Sequence, residues 1–182
     1  MIKLGAKELR NSTPPQNAIK AIKKNPVFII VDNVLDTYNI GAIFRLADAV
    51  ACQKVYLCGG SETPPHTRIK KASINTTEWV NWEYGDSAVI AIQELRSKIQ
   101  DIKIISIEQS ERSIPYTEIP YTFPIALVVG HETTGVTTDA MEASDYIAEI
   151  PMWGVNKSLN VMVSLGIVLF EVMKYYEGKI GK

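Results

Sequence analysis

The chain has 182 residues, 46% hydrophobic and 21% charged, with a formal net charge of −1. That composition suits one domain with a full core and excludes a disordered or fibrous chain. Two cysteines, Cys52 and Cys58, rule out a disulfide framework. They read as buried, reduced thiols in a cytoplasmic protein. With only His66 and His131 beside them, no metal site is expected.

Charge is unevenly spread. Residues 1–25 hold Lys3, Lys7, Arg10, Lys20, Lys23 and Lys24 against Glu8 alone, a local charge of +5 that leaves −6 for the rest. A second basic cluster is Arg68, Lys70 and Lys71. Such segregation marks either a phosphate-facing surface or a solvated helix face. The N-terminus has no long apolar run, so no signal peptide is expected. Residues 161–173 are interrupted by Ser164 and Glu171. They fall short of the ~18 residues of a membrane span.

In chain order, Pro14-Pro15 breaks the N-terminal segment and residues 16–24 predict a short helix. Residues 27–31, Val-Phe-Ile-Ile-Val, predict a buried strand. After a loop, Asn39 offers an N-cap to a helix whose apolar face is Ile43, Leu46, Ala47 and Val50. Residues 54–58 predict a second strand, closed by Gly59-Gly60 and followed by a long polar connection through Pro64-Pro65. Residues 87–99 have helical periodicity, 102–107 read as a strand, and 115–124 as a proline-rich link. Further strands are expected at 125–129 and 146–150, and a last helix at 158–176. This alternation predicts an α/β domain, a mostly parallel sheet flanked by helices. The expected division is a basic arm, residues 1–25, and a main domain, residues 26–182. Ligands of such sheets bind beyond the carboxyl ends of the strands. The last helix is apolar nearly all round and needs cover that one sheet cannot give, so a homodimer is predicted.

Three polar segments fall at those strand ends. They are Asn39-Ile40-Gly41-Ala42-Ile43-Phe44-Arg45, then Leu127-Val128-Val129-Gly130-His131-Glu132-Thr133-Thr134-Gly135-Val136, then Ile150-Pro151-Met152 running to Ser158-Leu159-Asn160-Val161. In this order and spacing the chain resembles the SpoU (TrmH-like) family of RNA ribose 2′-O-methyltransferases, of the SPOUT class, over roughly residues 26–175. The resemblance implies a C-terminal trefoil knot, a topology that general rules exclude. It also implies S-adenosyl-L-methionine as methyl donor, tRNA or rRNA as substrate, and an active site at a dimer interface. By the same matching, Asn39, Arg45, Glu132, Ser158 and Asn160 are the catalytic positions. Gly130, Ile150 and Leu159 are the cofactor-binding ones, with Ser106 and Ile107 lining the same pocket. Two positions depart from the pattern: Thr133 stands where Gly often follows the acid, and Met162 where a small polar residue is common.

The chemistry suits these residue types. Methyl transfer from a sulfonium needs no metal; it needs positioning, exclusion of water and help for a poorly acidic hydroxyl. Arg45 is cast by the resemblance as the base. Guanidinium is normally always charged. Holding it neutral near pH 7 costs roughly 7 kcal/mol, so a phosphate clamp that stabilises the developing alkoxide is the reading taken here. A plain Arg45–Asp48 surface pair is the bland alternative. Asn39, Ser158 and Asn160 could also serve only as helix caps, Glu132 as a solvated carboxylate, and His131 is taken as incidental. Trp79, Trp82 and Tyr84 read as packing residues before base-stacking ones. Two other functions stay in view: a catalytically silent RNA-binding member of the same fold, and a flavodoxin-like nucleotide-binding module.

Overall fold

Strand-forming runs rich in Val and Ile build the centre of the molecule, and they all point one way. A computed structural model describes residues 3–177. Within it β1 (Asn25–Asp32), β2 (Cys52–Cys58), β3 (Trp82–Gly85), β4 (Lys103–Ile107), β5 (Ile114–Pro115), β6 (Ile125–Gly130) and β7 (Tyr146–Glu149) form one sheet in the order β3-β2-β1-β6-β4-β7-β5. Every neighbouring pair is parallel. From β1 the chain first steps outward to β2 and β3; β6 then returns to pair with β1 on its other side. The switch puts the carboxyl ends Asp32 and Gly130 side by side, the place where open parallel sheets leave a crevice.

Successive residues of each strand feed opposite faces. Val27, Ile29 and Val31 pack with α3 (Thr37–Ala49), α4 (Thr67–Ser73) and α7 (Val161–Glu177) on one side. Phe28 and Ile30 pack with α5 (Ala88–Lys98) and α6 (Thr138–Glu142) on the other. Each fully buried Ile or Leu here contributes about 1.5–3 kcal/mol of transfer free energy. The predicted α/β architecture therefore holds.

Several local expectations change. α3 begins at Thr37, not after Asn39: Asp36 is its cap, accepting the amides of Tyr38 at 2.7 Å and Asn39 at 3.4 Å. Asn39 is thereby released from capping and lies buried in the first turn. The polar connection after β2 contains α4, capped by His66 Nδ1 at 3.2 Å from the Arg68 amide. Gly41 is where α3 crosses α4: a Cβ there would come within 2.5 Å of the Ala72 methyl and 2.8 Å of the Ile69 carbonyl oxygen. That glycine of the first motif serves helix packing. α7 starts at Val161, three residues later than expected.

The N-terminal segment forms α1 (Ala6–Asn11) and α2 (Gln16–Lys20). It is docked, since Asn75 Nδ2 donates to the Leu9 carbonyl at 2.6 Å, and Leu9, Ile19 and Ile22 lean on the core. α7 is covered on one side only: Leu165, Val168, Leu169 and Val172 are fully buried, while Val163 and Phe170 are exposed. Both cysteines are buried and free, and burial pushes each thiol up to about 12, which leaves them inert at neutral pH. No helix among the described residues is long and apolar enough to cross a membrane.

Candidate active site

At the carboxyl end of the sheet, the turn after β6 is held by its own backbone. His131 and Gly135 exchange two hydrogen bonds, N to O 3.1 and 2.9 Å. The His131 imidazole is not idle: its Nδ1 accepts the amides of Thr133 at 3.0 Å and Thr134 at 3.3 Å. Gly135 has φ +73°, and a Cβ there would lie 2.0 Å from the Glu108 carboxylate. Only glycine meets both conditions. The turn is closed at its far end by buried Asp32, whose Oδ2 accepts the Thr137 amide at 2.8 Å and its hydroxyl at 2.7 Å.

From this turn Glu132 reaches across to the start of α3. Its Oε1 accepts the Asp36 amide at 3.0 Å and Asn39 Nδ2 at 3.0 Å; its Oε2 accepts the Leu35 amide at 3.3 Å. Asn39 Oδ1 in turn accepts from Asn160 Nδ2 at 3.0 Å, and Asn160 Oδ1 accepts the Met162 amide at 3.0 Å in the first turn of α7. The polarity of this chain is forced at both ends. A carboxylate only accepts and a backbone amide only donates, so both side-chain amides have one allowed orientation. Each of the two then keeps one N–H for a further acceptor. Partial desolvation works to raise the Glu132 carboxyl. The hydrogen bonds from Asn39, its own amide, Asp36 and Leu35 outweigh it and hold the group below its ordinary value. It is therefore a fixed anion at neutral pH, fit to orient neighbours.

Beside this chain lies a cavity of about 320 Å³, bounded by the ends of β4, β6 and β7 and by residues before α7. Gly130, Ile150 and Leu159, the expected cofactor residues, all line it, as do Ile107, Glu132 and Ser158. Ser106 does not; it is fully buried, and its hydroxyl sits 2.8 Å from that of Ser144. Asn39 and Asn160 border the cavity through Glu132 and through the lining neighbours Leu159 and Val161. Asn160 does cap α7 as well, whereas the Ser158 hydroxyl bonds to no described residue.

Arg45 is not brought to the cavity within the single chain. It lies six residues beyond Asn39 on α3, about 9 Å along the helix axis. It is exposed and pairs with no described residue. The surface pair with Asp48 does not form: Asp48 Oδ1 accepts Trp79 Nε1–H at 2.6 Å instead. Trp79, buried and bonded to Asp48, is accordingly a packing residue.

Two further residues lie outside the three motifs. Glu108 lines the cavity and accepts the Val136 amide at 3.0 Å. Gln109 Nε2 donates to the Lys157 carbonyl at 2.8 Å, tying the β4 end to the loop before α7. Their only sequence signal is position, directly after a strand that ends in the crevice.

The cavity tests well against the expected cofactor. Aliphatic Val129, Ile150, Leu159 and Val161 supply flat apolar walls. Its lining includes two carboxylates, Glu108 and Glu132, and one ammonium, Lys157. Such a lining suits a molecule with a heterocycle and an excess positive charge. The volume is at the small end of the roughly 300–1,000 Å³ usual for ligand sites.

A wholly parallel α/β sheet with a polar cavity beyond the carboxyl ends of β4, β6 and β7, walled by three loop segments, defines a protein of the ligand-binding open-sheet class. The sequence profile of the SpoU rRNA methylase family matches residues 26–170, and the chain belongs to that family. It is 33% identical over 163 residues to the tRNA (guanosine(18)-2′-O)-methyltransferase of Aquifex aeolicus, covering 86% of this chain and 73% of that one. It is 29% identical to the Escherichia coli K12 enzyme of the same name, over 80% of this chain and 62% of that one. The chain thus spans about two thirds of the length of these relatives. Among solved structures, the Aquifex aeolicus TrmH/SpoU tRNA modifying enzyme superposes with TM-score 0.78 at 30% identity, over 96% of this chain and 83% of that one. A SpoU methyltransferase from Streptomyces viridochromogenes, solved with AdoMet, shares the fold at TM-score 0.76 and 20% identity, over 90% of this chain and 65% of that one. Family membership removes the flavodoxin-like alternative.

Proposed function

We propose that the protein methylates a ribose 2′-hydroxyl of tRNA or rRNA, with S-adenosyl-L-methionine as donor. The observation that carries this reading is the hydrogen-bonded chain from Glu132 through Asn39 to Asn160. It joins all three family motifs at the edge of one cavity.

When bound, the donor supplies an electrophilic methyl group on a sulfonium that leaves as a neutral thioether. Everything else falls to this chain's residues. The strand ends at Gly130 and Ile150, with Leu159, hold the donor against the sheet. Ser158, Asn39 and Asn160 orient the ribose, the two amides through the N–H each has left over. Glu132 keeps both amides turned correctly and takes no proton itself. The 2′-oxygen attacks in line while its proton passes to a phosphate or to water. Arg45 grips the neighbouring phosphate and stabilises the forming alkoxide. A guanidinium that is exposed and has no ion-pair partner among the described residues supports this role, because it is free to take a phosphate. In a pH–rate profile, Arg45→Lys lowers the rate without moving the ascending limb. A large move of that limb to lower pH would make Arg45 the base.

The active protein is a homodimer in which Arg45 joins the cavity of the other copy. The uncovered side of α7, with Val163 and Phe170, supports this arrangement. Residues 26–182 form the methyltransferase domain, with the C-terminal part drawn through a trefoil knot. Residues 1–25 form a basic arm against the RNA, in the cytoplasm. Mass spectrometry of ribose-methylated nucleosides in RNA from cells with and without the protein tests the reading. One 2′-O-methylated nucleoside should vanish with the gene; an unchanged set contradicts it.

A further inference from the structure

A second cavity, of about 410 Å³, lies away from the first, between the start of α4, the 3-10 turn Thr76–Glu78 and β3. Its walls include Pro64, Pro65, His66, Lys70, Glu78 and Trp82. Nothing in the proposed chemistry uses it. The geometry points to this cavity as the seat of an unpaired nucleobase of the RNA, outside the nucleotide that is methylated; the inference rests on the proposed RNA substrate.

The lining chemistry is that of base recognition. The half-buried indole of Trp82 is a flat aromatic surface with two proline rings in the same wall, and base stacking on aromatic side chains is tolerant of sequence. The Trp82 indole N–H has no hydrogen-bond partner among the described residues. It is a donor left over inside a recess. Lys70 Nζ and Glu78 Oε1 stand 3.9 Å apart, beyond hydrogen-bond distance, so both retain capacity for a base edge. His66 Nδ1 already accepts the Arg68 amide, which leaves Nε2 carrying the proton as a further donor.

Phosphate cover adjoins it. Arg68 and Lys71 are exposed on α4, next in sequence to the lining residues. The Asn75–Leu9 hydrogen bond brings α1, with exposed Lys7 and Arg10, to the end of α4. The basic helix α4 therefore runs from the recess at its start to basic α1 docked at its end. The recess also touches the catalytic helix, because the Trp82 ring meets Phe44 edge-on at 6.5 Å, and Phe44 precedes Arg45. A base seated here would fix the RNA relative to α3.

The test uses full-length protein carrying 15N in its tryptophan indoles, titrated with a mixed-sequence single-stranded hexaribonucleotide. Trp82→Phe, which keeps a ring against Phe44, assigns the Trp82 signal. That signal should move with saturation while Trp79, bonded to Asp48, stays still. Trp82→Phe and Glu78→Gln should each raise KM for RNA by about fivefold to tenfold, with kcat unchanged. Glu78→Gln is a surface change and keeps the test valid if the tryptophan variant folds poorly. Ribose methylation with a motionless Trp82 signal, or with KM unchanged in both variants, overturns this site and leaves the methyltransferase reading intact. Neither binding nor methylation by the wild type overturns both.

Discussion

The hub around Glu132 and the loop of residues 151–159 share one end of the sheet and are built on opposite terms. In the hub, Asp32, Glu132, Asn39 and Asn160 each make at least two hydrogen bonds, and the orientation of both amides follows from their partners. In the loop, Trp153 is 92% exposed and Val155 fully so, and the loop is tied to a strand end by the hydrogen bond from Gln109 to the Lys157 carbonyl. On the proposed mechanism, hydrogen bonds prebuild the part that orients a hydroxyl, and the part that would admit and release the donor is left open. Preorganisation is useful where charge develops, and adaptability where ligands pass.

Breaking the hub should have the largest consequence. Glu132→Ala frees the Asn39 amide to turn and should lower kcat about 100-fold or more, while affinity for the donor changes less than threefold. Single-turnover transfer of a labelled methyl group measures the first and calorimetry the second. Equal losses in both would make Glu132 a binding residue. Next comes the turn itself. Gly135→Ala meets both a left-handed φ and the Glu108 carboxylate, and should cost about 2–3 kcal/mol in urea unfolding.

The Glu132 carboxyl sharpens the comparison through pH. Its value in the fold is below its value in the unfolded chain. The stability it contributes is therefore present above the ordinary glutamate value near 4.3 and is lost as pH falls through the lower, folded value. Between pH 6 and pH 3 the wild type should lose more stability than Glu132→Gln; parallel curves would show that the hub does not hold the anion. The smallest effect belongs to the loop. Trp153→Ser should change unfolding stability by less than about 0.5 kcal/mol.

The sequence was readable where elements are long and their pattern is strong. β1, β2, β4, β6 and β7 are apolar runs, and α3, α5 and α7 are periodic helices of eleven residues or more. β3 and β5 were not readable. The first is Trp-Glu-Tyr-Gly and the second two residues ending in Pro, so both exist through the strand they lean on. α4 is seven residues, mostly polar, with Ile69 and Ser73 as its only buried positions. Its packing partner across Gly41 decides its form. The cap of α3 was misplaced because Asp36 and Asn39 are both good caps, and the choice depends on Glu132 claiming Asn39 from ninety-three residues away. Motif resemblance pointed to Gly130, Ile150, Leu159 and Ser158, and all four line the cavity. It could not find Glu108 or Asp32, whose work is to hold backbone amides of the turn.

The most direct test is a double-mutant cycle on Asn39 and Asn160, read as the rate of methyl transfer to ribose. If the hub acts as one unit, Asn39→Ala, Asn160→Ala and the double variant lose nearly the same factor, because each substitution deletes the Asn39–Asn160 hydrogen bond and leaves the surviving amide held at one end only. Losses that multiply would show two independent contacts, and wild-type rates in either single variant would remove the hub from the mechanism.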